Sequence, residues 1–168
     1  IDSGHKFEEN GLTNADIVIL PSEYAKKKAM EDYNVSENKI RIIEFGSGIE
    51  SGMKEIDIIE NTNKKELSKI KVLFVGKEWY RKGCDLTYEA IKILNRQNIP
   101  VEFNIVGFRS EDLLYDDEFI KTHGYLKKSD PSDFKKLKKL YRDSHFFAMP
   151  SRAEAFGIAF IEANSFGV

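Results

Sequence analysis

Short apolar runs alternate with amphipathic stretches along most of this chain. Residues 15–20 (ADIVIL) form an apolar run closed by Pro21, which predicts a buried strand. Ser22 stands where an N-cap stands, and Tyr24, Lys28 and Glu31 recur at helical spacing, so a helix is expected to about Tyr33. Residues 39–45 (KIRIIEF) predict a second strand, followed by the turn Gly46-Ser47-Gly48. Residues 50–69 are mostly polar, and 60–65 (ENTNKK) is their most loop-like part. That stretch reads as a linker or surface excursion.

A regular rhythm then sets in. Residues 70–75 (IKVLFV) are rich in β-branched side chains and end at Gly76, as a buried strand does. Residues 85–95 predict a helix with Leu86, Ala90, Ile91 and Leu94 on its apolar face. Residues 101–106 (VEFNIV) predict the next strand, ending at Gly107. A charged stretch with a short helix leads to a short strand at residues 120–123. Pro131 suits a first helical position, ahead of an apolar stripe of Phe134, Leu137, Leu140 and Tyr141. Residues 145–149 (HFFAM) predict a further strand stopped by Pro150, and residues 157–165 a closing helix. Strands alternating with helices at these distances call for right-handed crossovers and a parallel sheet, an α/β, doubly wound, Rossmann-like architecture with helices on both faces. Ligands of such sheets gather at the carboxyl ends of the strands, which directs attention to the loops after Val75, Val106 and Met149.

Composition narrows the classes. Hydrophobic residues make up 41% of 168, enough for a core without staples, and 26 basic against 28 acidic residues leave a net charge of -2. That balance argues against charge-driven binding to nucleic acid. No apolar run approaches the roughly 18 residues of a membrane helix. The single cysteine, Cys84, excludes a disulfide framework and points to the cytoplasm. The chain opens at Ile1 and stops at Val168 without a closing element, so it is expected to be incomplete at both ends.

Two loops carry candidate chemistry. In Gly76-Lys77-Glu78-Trp79-Tyr80-Arg81-Lys82-Gly83, the cations Lys77, Arg81 and Lys82 precede a helix N-terminus, an unfavourable placement unless an anion sits there. In residues 150–157, Gly157 opens the last helix and leaves the amides of Phe156, Gly157 and Ile158 without intrahelical partners. Glu154 and Glu162 flank that point. Eight helical steps separate them by about 12 Å, more than the roughly 5–9.5 Å of a glycosidase acid–base pair. Two carboxylates gripping different parts of one ligand fit better. Asp116-Asp117-Glu118 is the one acidic cluster, and a solvated loop is its simpler reading. His5, His123 and His145 lack partners at metal-ligand spacing, Cys84 and His145 read as packing residues, and Trp79 as a loop aromatic that shields the core.

The run PSRAEAFGIAFIEA (150–163) resembles the E-x7-E signature of retaining glycosyltransferases with two Rossmann-like domains, the GT-B architecture, and is most similar to family 4, the group 1 glycosyltransferases. KVLFVGKEWYRKGCDLTYEAIKIL resembles that family's first donor-domain strand, phosphate loop and helix, and ADIVILPSEYAKKKAMEDYNV the last strand and helix of its acceptor-side domain. KIRIIEFGSGIE, FNIVG and HGYLKKSDPSDFKKLKKLYRDSHFFAMPS follow in the family's order. The resemblance implies three segments: the end of an acceptor-side domain at 1–45, an interdomain segment at 46–69, and a truncated nucleotide-sugar donor domain at 70–168.

It also implies roles. Glu154 contacts the donor sugar near the reaction centre, and Glu162 holds the ribose hydroxyls. Lys82 and Arg81 neutralise the donor diphosphate, joined by Lys77, which stands where many members have Arg. The amides of Phe156, Gly157 and Ile158 cap the distal phosphate, and Gly107 passes near the base. Ala155 replaces the commoner Gly of the signature. The implied activity is hexosyl transfer with retention from a nucleotide-diphosphate sugar to a saccharide or lipid-linked acceptor, as in glycan, polysaccharide or glycolipid biosynthesis. It needs no metal and no other cofactor, and leaves room for peripheral membrane association of the full-length enzyme. The isolated piece is expected to be inactive. The rival reading is a non-catalytic nucleotide-binding α/β module. A dinucleotide-dependent oxidoreductase fits poorly, because Gly46-Ser47-Gly48 lacks the third glycine of that fingerprint.

Overall fold

Parallel strands buried on both faces are mostly apolar, and the six-residue runs 70–75 and 101–106 pair with each other over their full length. The computed structural model describes residues 3–109, 111, 113 and 115–168. They fall into two compact units, 1–46 with 155–157, and 47–154 with 158–168.

The first unit contains α1 (Ser3–Asn14), β1 (Val18–Leu20), α2 (Glu23–Tyr33) and β2 (Ile40–Ile42). The strands are parallel, with Val18 opposite Ile40 and Leu20 opposite Ile42. Ser22 caps α2 by accepting a hydrogen bond from the Ala25 amide at 3.1 Å, and Asn34 ends it in the left-handed region at φ 53°. Val18, Ala29, Val35 and Ile40 form the core, with Leu12, Leu20, Met30 and Tyr33 around it. Phe156 belongs to this unit and meets the Phe45 ring edge-on at 5.3 Å.

The second unit carries α3 (Glu55–Asn63), β3 (Ile70–Val75), α4 (Cys84–Arg96), β4 (Val101–Val106), β5 (Ile120–Thr122), α5 (Pro131–Asp143), β6 (Phe146–Phe147) and α6 (Ile158–Asn164). Its sheet has the order β5-β4-β3-β6, and every pairing is parallel. β3 and β4 pair from Ile70 with Val101 to Val75 with Val106, so both strands end at one edge. Alternation along β3 separates two cores. Val72 and Phe74 join Cys84, Tyr88, Ile91, Phe103 and Ile105 beneath α4. Leu73 joins Ile49, Val106, Leu137, Tyr141, Ala163 and Phe166 beneath α5 and α6. Helices therefore cover both faces, and the chain has the α/β architecture expected of it.

Several expectations need correction. The polar stretch read as a linker or surface excursion holds helix α3, which runs through Asn61 and Asn63 of its most loop-like part. Its start is held by Asp57, which accepts from the Lys54 amide at 2.9 Å, and its end by the Glu60–Lys64 pair at 2.9 Å. Helix α4 turns Cys84, Thr87, Tyr88 and Ile91 inward, while Leu86 and Ala90 are exposed. Tyr88 sets that rotation: its ring stacks on Tyr115 at 4.0 Å and its hydroxyl donates to Asp117 at 2.7 Å. Helix α6 starts at Ile158, because Gly157 has φ 79° and cannot join a right-handed helix. The short helix expected in the charged stretch before β5 falls partly on residues 110, 112 and 114, which lie outside the described residues.

Candidate functional site

The strand ends of β3 and β4 open into a cleft of about 910 Å³, lined among others by Gly76, Lys77, Gly107, Arg109, Tyr125 and Lys128. Two of its lining residues, Gly76 and Gly107, meet backbone to backbone. Gly107 has φ 107°, and a Cβ there would lie 2.0 Å from the Gly76 carbonyl oxygen, so only glycine fits where these two loops touch. Lys77 and Arg109 both face the Tyr125 ring, at 6.0 and 5.9 Å from its centre. Arg109 also pairs with Glu111 at 3.2 Å. With Lys127 and Lys128, four cations line the cleft, and no carboxylate does among the described residues.

Lys82 reaches the cleft wall, since a Cβ on Gly76 would contact its side-chain stem at 3.4 Å. The Lys82 ammonium forms an ion pair with Glu154, whose side chain is half-buried. Arg81 donates to Glu78 through Nε at 2.7 Å and to the Ala153 carbonyl at 2.9 Å. The hydrogen bond from Arg81 holds the Glu78 carboxyl below its ordinary range. The cations crowded before α4 thus have partners within the chain itself: Glu78 and Glu154 supply negative charge that the sequence alone assigned to a ligand.

Tight backbone contact holds these loops together. Gly83, the N-cap of α4, has φ 72°, and a Cβ there would lie 2.0 Å from the Pro150 carbonyl oxygen. The Arg152 amide donates to the Arg81 carbonyl at 2.8 Å. The Arg152 guanidinium grips Asp85 with two hydrogen bonds, of 2.8 and 2.7 Å, and lies 3.8 Å over the Tyr80 ring. That grip pulls the Asp85 carboxyl below its usual range.

Glu162 projects from α6 and is buried, 3% exposed. Lys128 pairs with one carboxylate oxygen, and the Tyr141 hydroxyl donates to the other at 3.1 Å. Burial pushes the Tyr141 hydroxyl pKa up, so it remains a donor.

Of the residues singled out from the sequence, Lys77 and Gly107 line the cleft, Lys82 reaches its wall through Gly76, and Glu162 joins it through Lys128. Glu154 adjoins through Lys82, and Arg81 anchors the Ala153 backbone. Phe156 and Gly157 group with the first unit, and Ile158 begins α6. Sequence reasoning missed Lys128, Tyr125, Arg109, Arg152 and Glu78 as site residues. No local signal marks Lys128 within its lysine-rich run, whereas Tyr141 was seen only as part of an apolar stripe.

Other residues have structural work. Cys84 is fully buried, His145 Nδ1 accepts from the Lys71 amide at 2.9 Å, and Trp79 packs against Phe108 and Tyr115 at 5.6 and 5.7 Å. Among the described residues, no helix is long and apolar enough to cross a membrane.

The sequence is 29% identical over 154 residues to an uncharacterized 41.2 kDa protein in the cps region of Klebsiella pneumoniae, covering 89% of this chain and 40% of that protein. The fold is similar to the pneumococcal O-GlcNAc transferase GtfA, solved in complex with UDP and GlcNAc, with a TM-score of 0.69 at 15% identity over 99% of this chain and 32% of that one. It is also similar to Anabaena Alr3699/HepE in complex with UDP-glucose, with a TM-score of 0.66 at 17% identity over 98% and 47%. The chain spans less than half the length of each of these relatives. The sequence profile of the family described as Glycosyl transferases group 1 matches residues 55–168, well over half of the chain and all of the loops around the cleft, and on that match the chain belongs to the group 1 glycosyl transferases.

Proposed function

We propose that the protein transfers a hexosyl group from a nucleoside-diphosphate sugar to a saccharide or lipid-linked acceptor, with retention at the anomeric carbon. The observation that carries this reading is the cation-lined cleft at the carboxyl ends of β3 and β4, flanked through Lys82 and Lys128 by the two glutamates of the E-x7-E spacing. At about 910 Å³ its volume suits a nucleotide sugar. As the glycosidic bond breaks, negative charge accumulates on the leaving diphosphate, and in this reading Lys82, Arg81 and Lys77 stabilise it, with Lys82 and Arg81 exchanging their partners Glu154 and Glu78 for the phosphates. These cations take the part that a metal ion plays in other diphosphate sites. Glu154 addresses the donor sugar near the reaction centre, and Glu162 the ribose hydroxyls.

The UDP in the GtfA complex and the UDP-glucose in the HepE complex support a nucleotide-sugar donor. The test is Arg81→Ala combined with Lys82→Ala in the intact protein. Calorimetry with UDP and GDP should show affinity falling by a factor of roughly 100 or more, as expected when charge-assisted hydrogen bonds are lost. Unchanged affinity would remove the diphosphate assignment.

A further inference from the structure

The geometry around Glu162 assigns a role to a residue outside the glutamate signature: we infer that Lys128 is a positioning residue for the nucleotide, aiming the buried Glu162 carboxylate at the sugar hydroxyls of the donor nucleoside. This inference rests on the reading of Glu162 given above and adds what makes that carboxylate usable.

One carboxylate oxygen of Glu162 meets rigid protein, and the other meets Lys128, a residue that lines the cleft. On the rigid side, the Tyr141 hydroxyl donates to one carboxylate oxygen at 3.1 Å. The Tyr141 ring is itself fully buried and stacks on Phe166 at 5.5 Å with an interplanar angle of 8°, so that donor has nowhere to move. The second oxygen faces Lys128, whose side chain is 46% exposed and whose residue lines the cleft. Among the described residues, the cation that neutralises this buried charge is Lys128, a residue of the cleft lining. A buried carboxylate stripped of its cation is an uncompensated charge, and it relieves that state by turning toward water or other donors.

Gly48 closes the cage. A Cβ at this position would sit 2.9 Å from the carboxylate oxygen that Lys128 holds and 3.2 Å from the Lys128 nitrogen, so the ion pair lies directly on backbone. That backbone is fixed in turn. Ser47 accepts from the Ile49 amide at 3.1 Å and donates to the Ile49 carbonyl at 2.6 Å, while Ile49 is packed into the core with Leu73 and Tyr141. With Gly48 behind and Tyr141 beside, Lys128 is the exposed, movable partner of Glu162 among the described residues. A carboxylate has about four lone-pair sites, and the two direct partners seen here leave acceptor capacity for ligand hydroxyls.

The experiment compares UDP and GDP with their 2′,3′-dideoxy forms by calorimetry on the intact protein, in wild type, Lys128→Met, Lys128→Arg and Glu162→Gln. The readout is the affinity ratio between the natural and dideoxy nucleotides, which a loss of stability alone does not move. Wild type should prefer the hydroxylated form by about tenfold or more, the size of hydrogen bonds to a charged acceptor. Lys128→Met should reduce the ratio below about threefold, and Lys128→Arg should restore most of it. A Lys128→Met protein that keeps the wild-type ratio while Glu162→Gln loses it overturns the inference and leaves the reading of Glu162 standing. A Glu162→Gln protein that keeps the ratio, or a wild type that binds neither nucleotide, overturns that reading and the inference with it.

Discussion

Replacing Gly83 with alanine tests how strongly the phosphate-loop geometry depends on one backbone contact. Gly83 caps α4 at φ 72°, and a non-glycine residue in the left-handed region costs about 1–2 kcal/mol. The added methyl would lie 2.0 Å from the Pro150 carbonyl oxygen and 2.7 Å from its carbon, with the Pro150 ring 3.0 Å away. None of these atoms is the free end of a flexible side chain. The loop after β6 has to retreat, and overpacking of that kind costs about 1–3 kcal/mol. The lower entropy of an unfolded alanine returns about 0.4–1 kcal/mol. The expected net loss is about 2–4 kcal/mol, read as a lower urea midpoint at an unchanged slope in the intact protein.

Retreat of the Pro150 loop also strains the bond from the Arg152 amide to the Arg81 carbonyl and the Lys82–Glu154 pair, so nucleoside diphosphate affinity should fall together with stability. Gly46→Ala is the control, because a Cβ there meets nothing within 4 Å. If Gly83→Ala stays within about 0.5 kcal/mol of wild type, the range of ordinary surface changes, or if Gly46→Ala is equally damaging, the contact does not organise the loop.

Two further outcomes are expected. Cys84 is fully buried and its thiol pKa is pushed up by burial, so a thiol reagent such as DTNB should leave the native protein unlabelled and react fully in denaturant; rapid native labelling would contradict the packing beneath α4. Burial also lowers the His123 pKa, and Asn104 Oδ1 lies 2.8 Å from its Nε2. The contribution of a histidine kept neutral by folding is complete above its unfolded value near 6.5 and is lost as pH falls through the lower folded value. Stability relative to His123→Gln should therefore decline from pH 7.5 to pH 5, and a difference independent of pH would exclude a neutral buried imidazole.

The sequence by itself determined the elements whose reason is local. Residues 70–75 and 101–106 are mostly apolar and rich in β-branched side chains, Lys71, Glu102 and Asn104 excepted, because both faces of a parallel strand are covered, and the structure pairs them residue for residue. Pro131 opens α5 just after Asp130, which accepts from the Ser132 and Asp133 amides at 2.9 and 3.0 Å, a pattern carried by four consecutive residues. Two of the loops that line the cleft, those after Val75 and Val106, were likewise legible, since strand ends in such sheets converge on one edge, whereas residues 125–129 after β5 were not singled out.

What only the tertiary structure decided is pairing between distant residues and the rotation of whole helices. Helix α4 turned Tyr88 inward because Tyr115 and Asp117, on a later loop, receive it; periodicity alone preferred Leu86 and Ala90. Helix α3, in a polar stretch, packs Ile58 against Gly167, over a hundred residues away in sequence, where a Cβ would sit 2.3 Å from the Ile58 methyl. The partners of Lys82 and Lys128 lie 72 and 34 residues away. A lysine reads the same in sequence whether its ammonium ends in water or on a buried carboxylate. The choice follows from which backbone segments the sheet brings within a side chain's length.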